Sequence, residues 1–176
     1  QNRRPAEQQM RHIKRDENGQ LTIGNHIAGD LAKRFGTPLY VYSGDGFVAY
    51  YAAFAAAVSE LDCAVHYAVK ANSSLGVLGL LAQQGAGADI VSGGEMKRAL
   101  SSGIAPDKIV FSGVGKTDDE IRAALQAGIG QINAESATEL VRISQIAAET
   151  GKQAPVALRV NVNVDPGSHA KISTGQ

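Results

Sequence analysis

The sequence predicts an α/β fold built on a parallel sheet, and three observations carry that prediction. Short apolar runs of strand length recur about every 20–26 residues after residue 60. A polar turn follows each run, and a helical pattern follows each of the first four. The helical stretches open on capping residues and close on glycine. Strands that alternate with helices and are buried on both faces predict parallel pairing with right-handed crossovers. The rhythm fits an open doubly wound sheet and a closed (β/α)8 barrel equally well.

In chain order, His12–Arg15 and Gln20–Ile23 flank Asp16-Glu-Asn-Gly19, where Asn18-Gly19 signals a hairpin turn. Ile27–Phe35 reads as a short helix ended by Gly36. Pro38 opens an apolar strand, Leu39–Tyr42, and an Ala-rich helix spans Phe47–Leu61. A boundary near Ser43 separates a β-rich arm, residues 1–43, from the repeated unit, residues 44–176. The repeat strands are Ala64–Val69, Ala88–Val91, Ile109–Phe111, Gln131–Ala134 and Val156–Val160. Asn72 or Ser73 caps the first repeat helix. Ser92-Gly-Gly-Glu95, Thr117-Asp-Asp-Glu120 and Ser136-Ala-Thr-Glu139 fit the capping box, in which a hydroxyl and a carboxylate satisfy orphan N–H groups reciprocally. Gly85, Gly103, Gly128 and Gly151 suit the left-handed position that ends a helix. Ile121, Leu125 and Ile129, and Leu140 with Ile143 and Ala147, mark the buried helix faces.

Composition narrows the function. Apolar residues make up 44% and charged residues 19% of 176, which is globular rather than disordered. Seventeen basic residues balance seventeen acidic ones, so nothing draws the chain electrostatically to nucleic acid or an anionic membrane. Cys63 is the single cysteine, which excludes an internal disulfide. Arg3, Arg4, Arg11, Lys14 and Arg15 precede no apolar segment of a secretory signal, and the longest apolar stretch, Tyr50–Val58, is too short to span a bilayer. The expected location is the cytoplasm, and the glycosylation pattern Asn72-Ser73-Ser74 is read as chance. His12, His26, His66 and His169 lack metal-ligand spacing, so no metal is expected. Ser112-Gly-Val-Gly-Lys-Thr117 ends like a phosphate-binding P-loop, but Val110 stands where the first glycine is required. Gly85-Ala-Gly-Ala-Asp-Ile90 begins like a dinucleotide fingerprint, but it lacks the last glycine and precedes a strand.

Lys70 closes the apolar run Ala64–Val69. A charge at the end of a buried strand is costly unless it is paired or neutralised. Desolvation would free its amine as a nucleophile, and the C-terminal end of an α/β strand is the usual side for an active site. A strand-end lysine reaching into solvent is the competing reading. Tyr67-Ala-Val-Lys-Ala-Asn72 resembles the lysine motif of fold-type III pyridoxal-phosphate enzymes. Gly36-Thr-Pro-Leu-Tyr-Val-Tyr42, Gly87–Glu95, Ile109–Thr117, Ala157-Leu-Arg-Val-Asn161 and Ile172-Ser-Thr-Gly175 narrow the resemblance to the diaminopimelate decarboxylase family. These segments run in family order from about Ile13 onward.

The resemblance implies a partial (β/α)8 TIM barrel of about five strands, with pyridoxal 5′-phosphate bonded covalently to Lys70. It implies decarboxylation of meso-diaminopimelate to L-lysine, a small amino-acid substrate and a homodimer. It also implies Asp89 beside the lysine, and Glu95 and Arg159 near the cofactor. Each of these has a structural competitor: a buried hydrogen-bonding Asp, a capping-box Glu and a barrel ion pair. Competing activities are an ornithine, arginine or carboxynorspermidine decarboxylase, an amino-acid racemase, and a non-catalytic pyridoxal-phosphate-binding barrel. Five strands of an expected eight imply the N-terminal part of a longer chain. The resemblance puts a ring-stacking histidine, a Gly-rich phosphate site, a glutamate on the pyridine nitrogen and a C-terminal β domain beyond residue 176. The 176-residue chain alone is therefore expected to release no CO2 from meso-diaminopimelate in a radiometric assay; robust turnover at this length would overturn that reading.

Overall fold

The structure, a computed structural model, describes residues 12–160. Arg3, Arg4, Arg11, Asn161, His169 and Ile172–Gly175 lie outside them. The hairpin forms as the sequence predicts, with β1 (Ile13–Arg15) antiparallel to β2 (Leu21–Ile23). The Asp16 carboxylate organises its turn by accepting the N–H groups of Asn18 at 2.9 Å and Gln20 at 2.8 Å. A third strand that the sequence pattern does not announce, β3 (His26–Ile27), pairs with β2 and leads directly into α1 (Ala28–Phe35). The predicted strand Leu39–Tyr42 is not formed. Apolar content favours a strand only where a neighbour completes its ladder, and these residues pair with no strand among those described. The Ala-rich helix, α2 (Gly44–Ala57), begins and ends earlier than predicted. Ser43 sets its start, with its hydroxyl accepting the Gly46 N–H at 3.2 Å.

The repeated unit supplies β4 (His66–Ala68), α3 (Leu75–Gln83), β5 (Gly87–Ile90), α4 (Gly93–Ser101), β6 (Ile109–Phe111), α5 (Asp118–Ala127), β7 (Gln131–Ala134), α6 (Ala137–Thr150) and β8 (Val156–Leu158). All five strands are parallel and run β4-β5-β6-β7-β8, in chain order. That order decides between the two architectures. A doubly wound sheet reverses direction at a switch point. Here the order never reverses, and each helix from α2 to α6 packs on the next. The helices form one layer on one face, as in an arc of a (β/α)8 barrel. No helix among the described residues is long and apolar enough to cross a membrane.

The two faces of the sheet differ, which corrects the expectation of strands apolar on both sides. Ala88, Ile90, Ile109, Phe111 and Ile132 point to the helices and are completely buried with Leu78, Ile121, Ala124 and Ile143. Each large side chain in that layer contributes about 1.5–3 kcal/mol. The alternate positions, His66, Ala68, Asp89, Val110, Gln131 and Asn133, face the barrel interior and are half-buried. Most of them are polar. Close approach is also fixed at Gly130, where a Cβ would run into the backbone carbonyl of Asp107.

The helix ends follow the sequence closely. Gly85, Gly103, Gly128 and Gly151 all take positive φ, between 63° and 90°. At the N-termini, Ser92, Thr117 and Ser136 each accept an N–H from the glutamate three residues on. Only Thr117 and Glu120 form the reciprocal box. Glu95 and Glu139 reach one residue further back, to the N–H groups of Val91 and Glu135, each at 2.7 Å. They therefore grip the strand-to-helix loop rather than the cap. Neither Asn72 nor Ser73 caps α3. Ser74 occupies that position without a side-chain cap bond, and Asn72 instead accepts the Ser74 N–H at 3.0 Å.

Glu120 links two repeat units. One carboxylate oxygen accepts the Thr117 N–H at 3.0 Å, and the other accepts the Gly93 N–H at the start of α4 at 2.6 Å. A Cβ on Gly93 would lie 3.0 Å from the Glu120 Cγ, so glycine there gives the carboxylate its approach. The N–H groups of Thr117 and Gly93 hold the Glu120 carboxyl below its usual range. Its stabilising contribution is complete above the ordinary glutamate value of about 4.3 and is lost as pH falls through the lowered folded-state value. Glu120→Gln is expected to cost about 0.5–1 kcal/mol in urea unfolding at pH 7, a figure kept small by solvent exposure. The difference from wild type should close as the same measurement is taken below about pH 4.

Candidate active site

The C-terminal ends of β4 to β8 gather the chain's polar chemistry on one rim. Lys70 stands in a 3-10 turn, Val69–Ala71, that follows β4 directly, the strand ending one residue earlier than predicted. Its neighbour Val69 is completely buried in the core and anchors the turn. Tyr67, packed on the helix side of the sheet, spans the turn by donating its hydroxyl to the Asn72 carbonyl at 3.3 Å. Burial pushes the Tyr67 phenol up. From α4, Arg98 donates to the Ser73 carbonyl at 3.3 Å. These contacts fix the backbone while the Lys70 side chain projects outward. Lys70 is exposed, so nothing among the described residues desolvates its amine. What distinguishes the residue is its position on a braced turn at the rim.

Asp89 lies on the interior face of β5, in register with Ala68, two residues before Lys70. Its Oδ1 accepts the Ser112 hydroxyl at 2.6 Å. Ser112 in turn accepts from Asn133 Nδ2 at 3.0 Å, and Asn133 Oδ1 accepts from Gln131 Nε2 at 2.7 Å. The connected polar residues thus cross from β5 to β7. Glu95 is half-buried and its carboxylate holds the Val91 N–H, the structural role open to it from its capping position. Arg159 is not a buried barrel arginine. Its side chain is 57% exposed, and it pairs at 3.1 Å with Glu135, which is 8% exposed. Glu135 also accepts the Gly113 N–H at 2.8 Å, tying the loop after β6 to the end of β7.

The rim contains one arrangement that sequence reasoning misses. Lys116 Nζ has no exposed surface and donates to the Gly113 carbonyl at 2.6 Å, the Asn133 carbonyl at 2.7 Å and Glu139 Oε1 at 3.2 Å. The lysine that makes Ser112–Thr117 look like a phosphate loop is therefore committed to protein acceptors. The sequence carries no local signal for it, because Lys116 and Glu139 lie 23 residues apart and meet only in the fold. Arg142 completes the group by donating to the Lys116 carbonyl at 3.1 Å and pairing with Asp118.

Residues 47–176 match the family described as "Pyridoxal-dependent decarboxylase, pyridoxal binding domain". The chain belongs to the pyridoxal-dependent decarboxylase family. Among its relatives, a diaminopimelate decarboxylase of Pseudomonas fluorescens is 55% identical over 158 residues, covering 89% of this chain and 38% of that protein. One of Pseudomonas aeruginosa is 54% identical over 145 residues, covering 82% of this chain and 35% of the relative. The crystal structure of a diaminopimelate decarboxylase from M. jannaschii with L-lysine superposes with a TM-score of 0.85 at 40% identity. That superposition covers 95% of this chain and 40% of the other. The chain thus spans about 35–40% of the length of these relatives. In this decarboxylase-family chain, the parallel arc and its preceding antiparallel sheet correspond to the N-terminal part of the barrel in those structures.

The buried pair gives a direct test of what supports the rim. Lys116→Met leaves the Glu139 carboxylate without its cation, at an expected cost of about 3–5 kcal/mol in urea unfolding of the full chain. Lys116→Met combined with Glu139→Leu should recover a large part of that loss, since removing both charges also removes the unpaired one.

Proposed function

We propose that this chain carries the lysine side of the active site of a pyridoxal-phosphate-dependent carboxy-lyase that converts meso-2,6-diaminopimelate to L-lysine. The observation that carries the reading is Lys70 on a braced, exposed turn at the C-terminal end of β4, one strand away from the interior carboxylate of Asp89. The names of the relatives at 54–55% identity support the substrate assignment. The L-lysine of the M. jannaschii complex is consistent with the product.

The donor set fits the cofactor's chemistry. An exposed primary amine suits an aldehyde, and a half-exposed guanidinium with one carboxylate partner suits an additional anion. When bound, pyridoxal 5′-phosphate supplies the electron-accepting ring that takes up the electrons left by the departing carboxylate. The chain's own part is to hold and orient. Lys70 Nζ would hold the cofactor through its aldehyde carbon, since an exposed primary amine on a fixed turn is a nucleophile for that group. The Asp89 carboxylate accepts a hydrogen bond from the Lys70 ammonium once it is freed. Arg159, oriented by Glu135, would hold an anionic group of the cofactor, and Glu95 keeps the loop after β5 in place. Lys70, Asp89, Glu95 and Arg159 together make up the proposed cofactor-binding set.

The division into an arm, residues 1–43, and a barrel part, residues 44–176, is part of the same proposal. Two separate sheets and the helix cap at Ser43 support it. Homodimeric assembly and a cytoplasmic location rest on the family resemblance. In the full chain, Lys70→Ala is expected to abolish both CO2 release from meso-diaminopimelate and the borohydride-trapped pyridoxal-phosphate adduct on the Lys70 peptide, read by mass spectrometry. An adduct that persists at another lysine in Lys70→Ala, with activity retained, would sink the assignment.

A further inference from the structure

The interior face of the sheet carries a hydrogen-bond chain whose direction is fixed by chemistry. Gln131 Nε2 can only donate, and it donates to Asn133 Oδ1 at 2.7 Å. That leaves the Asn133 amide nitrogen as a donor, and it points at Ser112 Oγ, 3.0 Å away. Ser112 has a single hydroxyl proton. With Asn133 donating to its oxygen, that proton goes to Asp89 Oδ1 at 2.6 Å, a length typical of a hydroxyl on a carboxylate. The Ser112 backbone is fixed by its own N–H on the Ile90 carbonyl at 2.8 Å. The next anchor is Asn133, whose carbonyl accepts the buried Lys116 ammonium at 2.7 Å. Among the described residues, Asp89 Oδ2 accepts no hydrogen bond.

We propose that Gln131, Asn133 and Ser112 are positioning residues that hold Asp89 as a one-sided acceptor, with Oδ1 occupied and Oδ2 offered to the amine of Lys70. A lone carboxylate on a strand could rotate about its side-chain bonds and present either oxygen. A relay in which every proton points toward Asp89 removes that freedom, because no member can reverse without leaving its neighbour unsatisfied. The inference rests on the reading of Lys70 as the aldehyde-binding lysine, and it adds the residues that set the orientation of the neighbouring carboxylate.

The test is the rate at which pyridoxal 5′-phosphate and borohydride label Lys70 in the full chain, quantified on the isolated peptide at constant pH. Asp89→Asn is expected to speed labelling about tenfold, the smaller end of what an adjacent opposite charge does to an amine, because the carboxylate favours the unreactive ammonium. Ser112→Ala should speed it in the same direction, and the double variant should be no faster than Asp89→Asn alone, because Ser112 acts only through Asp89. Ser112→Thr keeps the hydroxyl and should restore the wild-type rate. Asn133→Asp keeps the shape but adds a second acceptor for the Ser112 proton, so it should behave as Ser112→Ala does. That variant also gives the answer should Ser112→Ala fail to fold. Wild-type labelling in Ser112→Ala and Asn133→Asp would overturn the relay, as would gains in Ser112→Ala and Asp89→Asn that multiply. If Asp89→Asn speeds labelling while the relay variants do not, the relay alone falls. If Lys70 is not labelled in wild type, the functional reading falls and takes the relay with it.

Discussion

An ammonium group with no surface exposed to water must draw all of its solvation from the protein. Lys116 does so with two backbone carbonyls and one carboxylate, and the positions of those acceptors explain much of the rim. The Gly113 carbonyl belongs to the loop after β6, the Asn133 carbonyl to β7 and the Glu139 carboxylate to α6. One cation therefore fixes a loop, a strand and a helix relative to one another. Glu139 uses its second oxygen on the Glu135 N–H, and the Glu135 carboxylate holds both the Gly113 N–H and Arg159. The guanidinium proposed to face an anionic ligand is thus linked, through Glu135 and Glu139, to a buried charge that cannot move without becoming unpaired.

The same logic repeats around the arc in weaker form. Each of two loops is held by a carboxylate from further along the chain: Gly93 by Glu120 and Gly113 by Glu135. The N–H groups at helix starts and in these loops need acceptors, and the partial positive charge at a helix N-terminus favours a carboxylate. A parallel barrel has its strand-to-helix loops all at one end. Carboxylates that join neighbouring loops at that end turn separate βα units into a continuous rim. Lys70 sits at the start of this rim, where braces through Tyr67, Asn72 and Arg98 leave its side chain in the open.

The repeat rhythm, the helix stops and the hairpin are legible in the sequence because each rests on local chemistry. Gly128 ends a helix in any context that permits positive φ, and Asp16 makes its turn with its own neighbours. The misses share a different cause. Leu39–Tyr42 has the composition of a strand but lacks a paired neighbour among the described residues, and pairing is not a local property. Glu95 and Glu139 have the capping-box spacing, yet their carboxylates reach past the cap to N–H groups of the preceding loop backbone. Lys70, Asp89, Glu95 and Arg159 stand out by motif, while the expected burial of Lys70 and Arg159 does not follow. Sequence position fixes which end of a strand a residue occupies, but exposure depends on what packs above it.

The alternation Gln131-Ile132-Asn133-Ala134 carries more information than an apolar run of the same length. Period-two polarity in a parallel strand means that one face lies on the helix layer and the other on a polar interior. In β5 the same alternation is carried by Asp89 between Ala88 and Ile90. Polar interior positions on neighbouring strands would each be costly if left unsatisfied. Connected through Ser112, they satisfy one another, and the end of the chain nearest Lys70 is the Asp89 carboxylate, one oxygen of which accepts from no donor among the described residues. A polar stripe that closes on itself would be a structural device. One that ends in an acceptor on the strand next to the one leading to Lys70 is the arrangement the proposed relay requires.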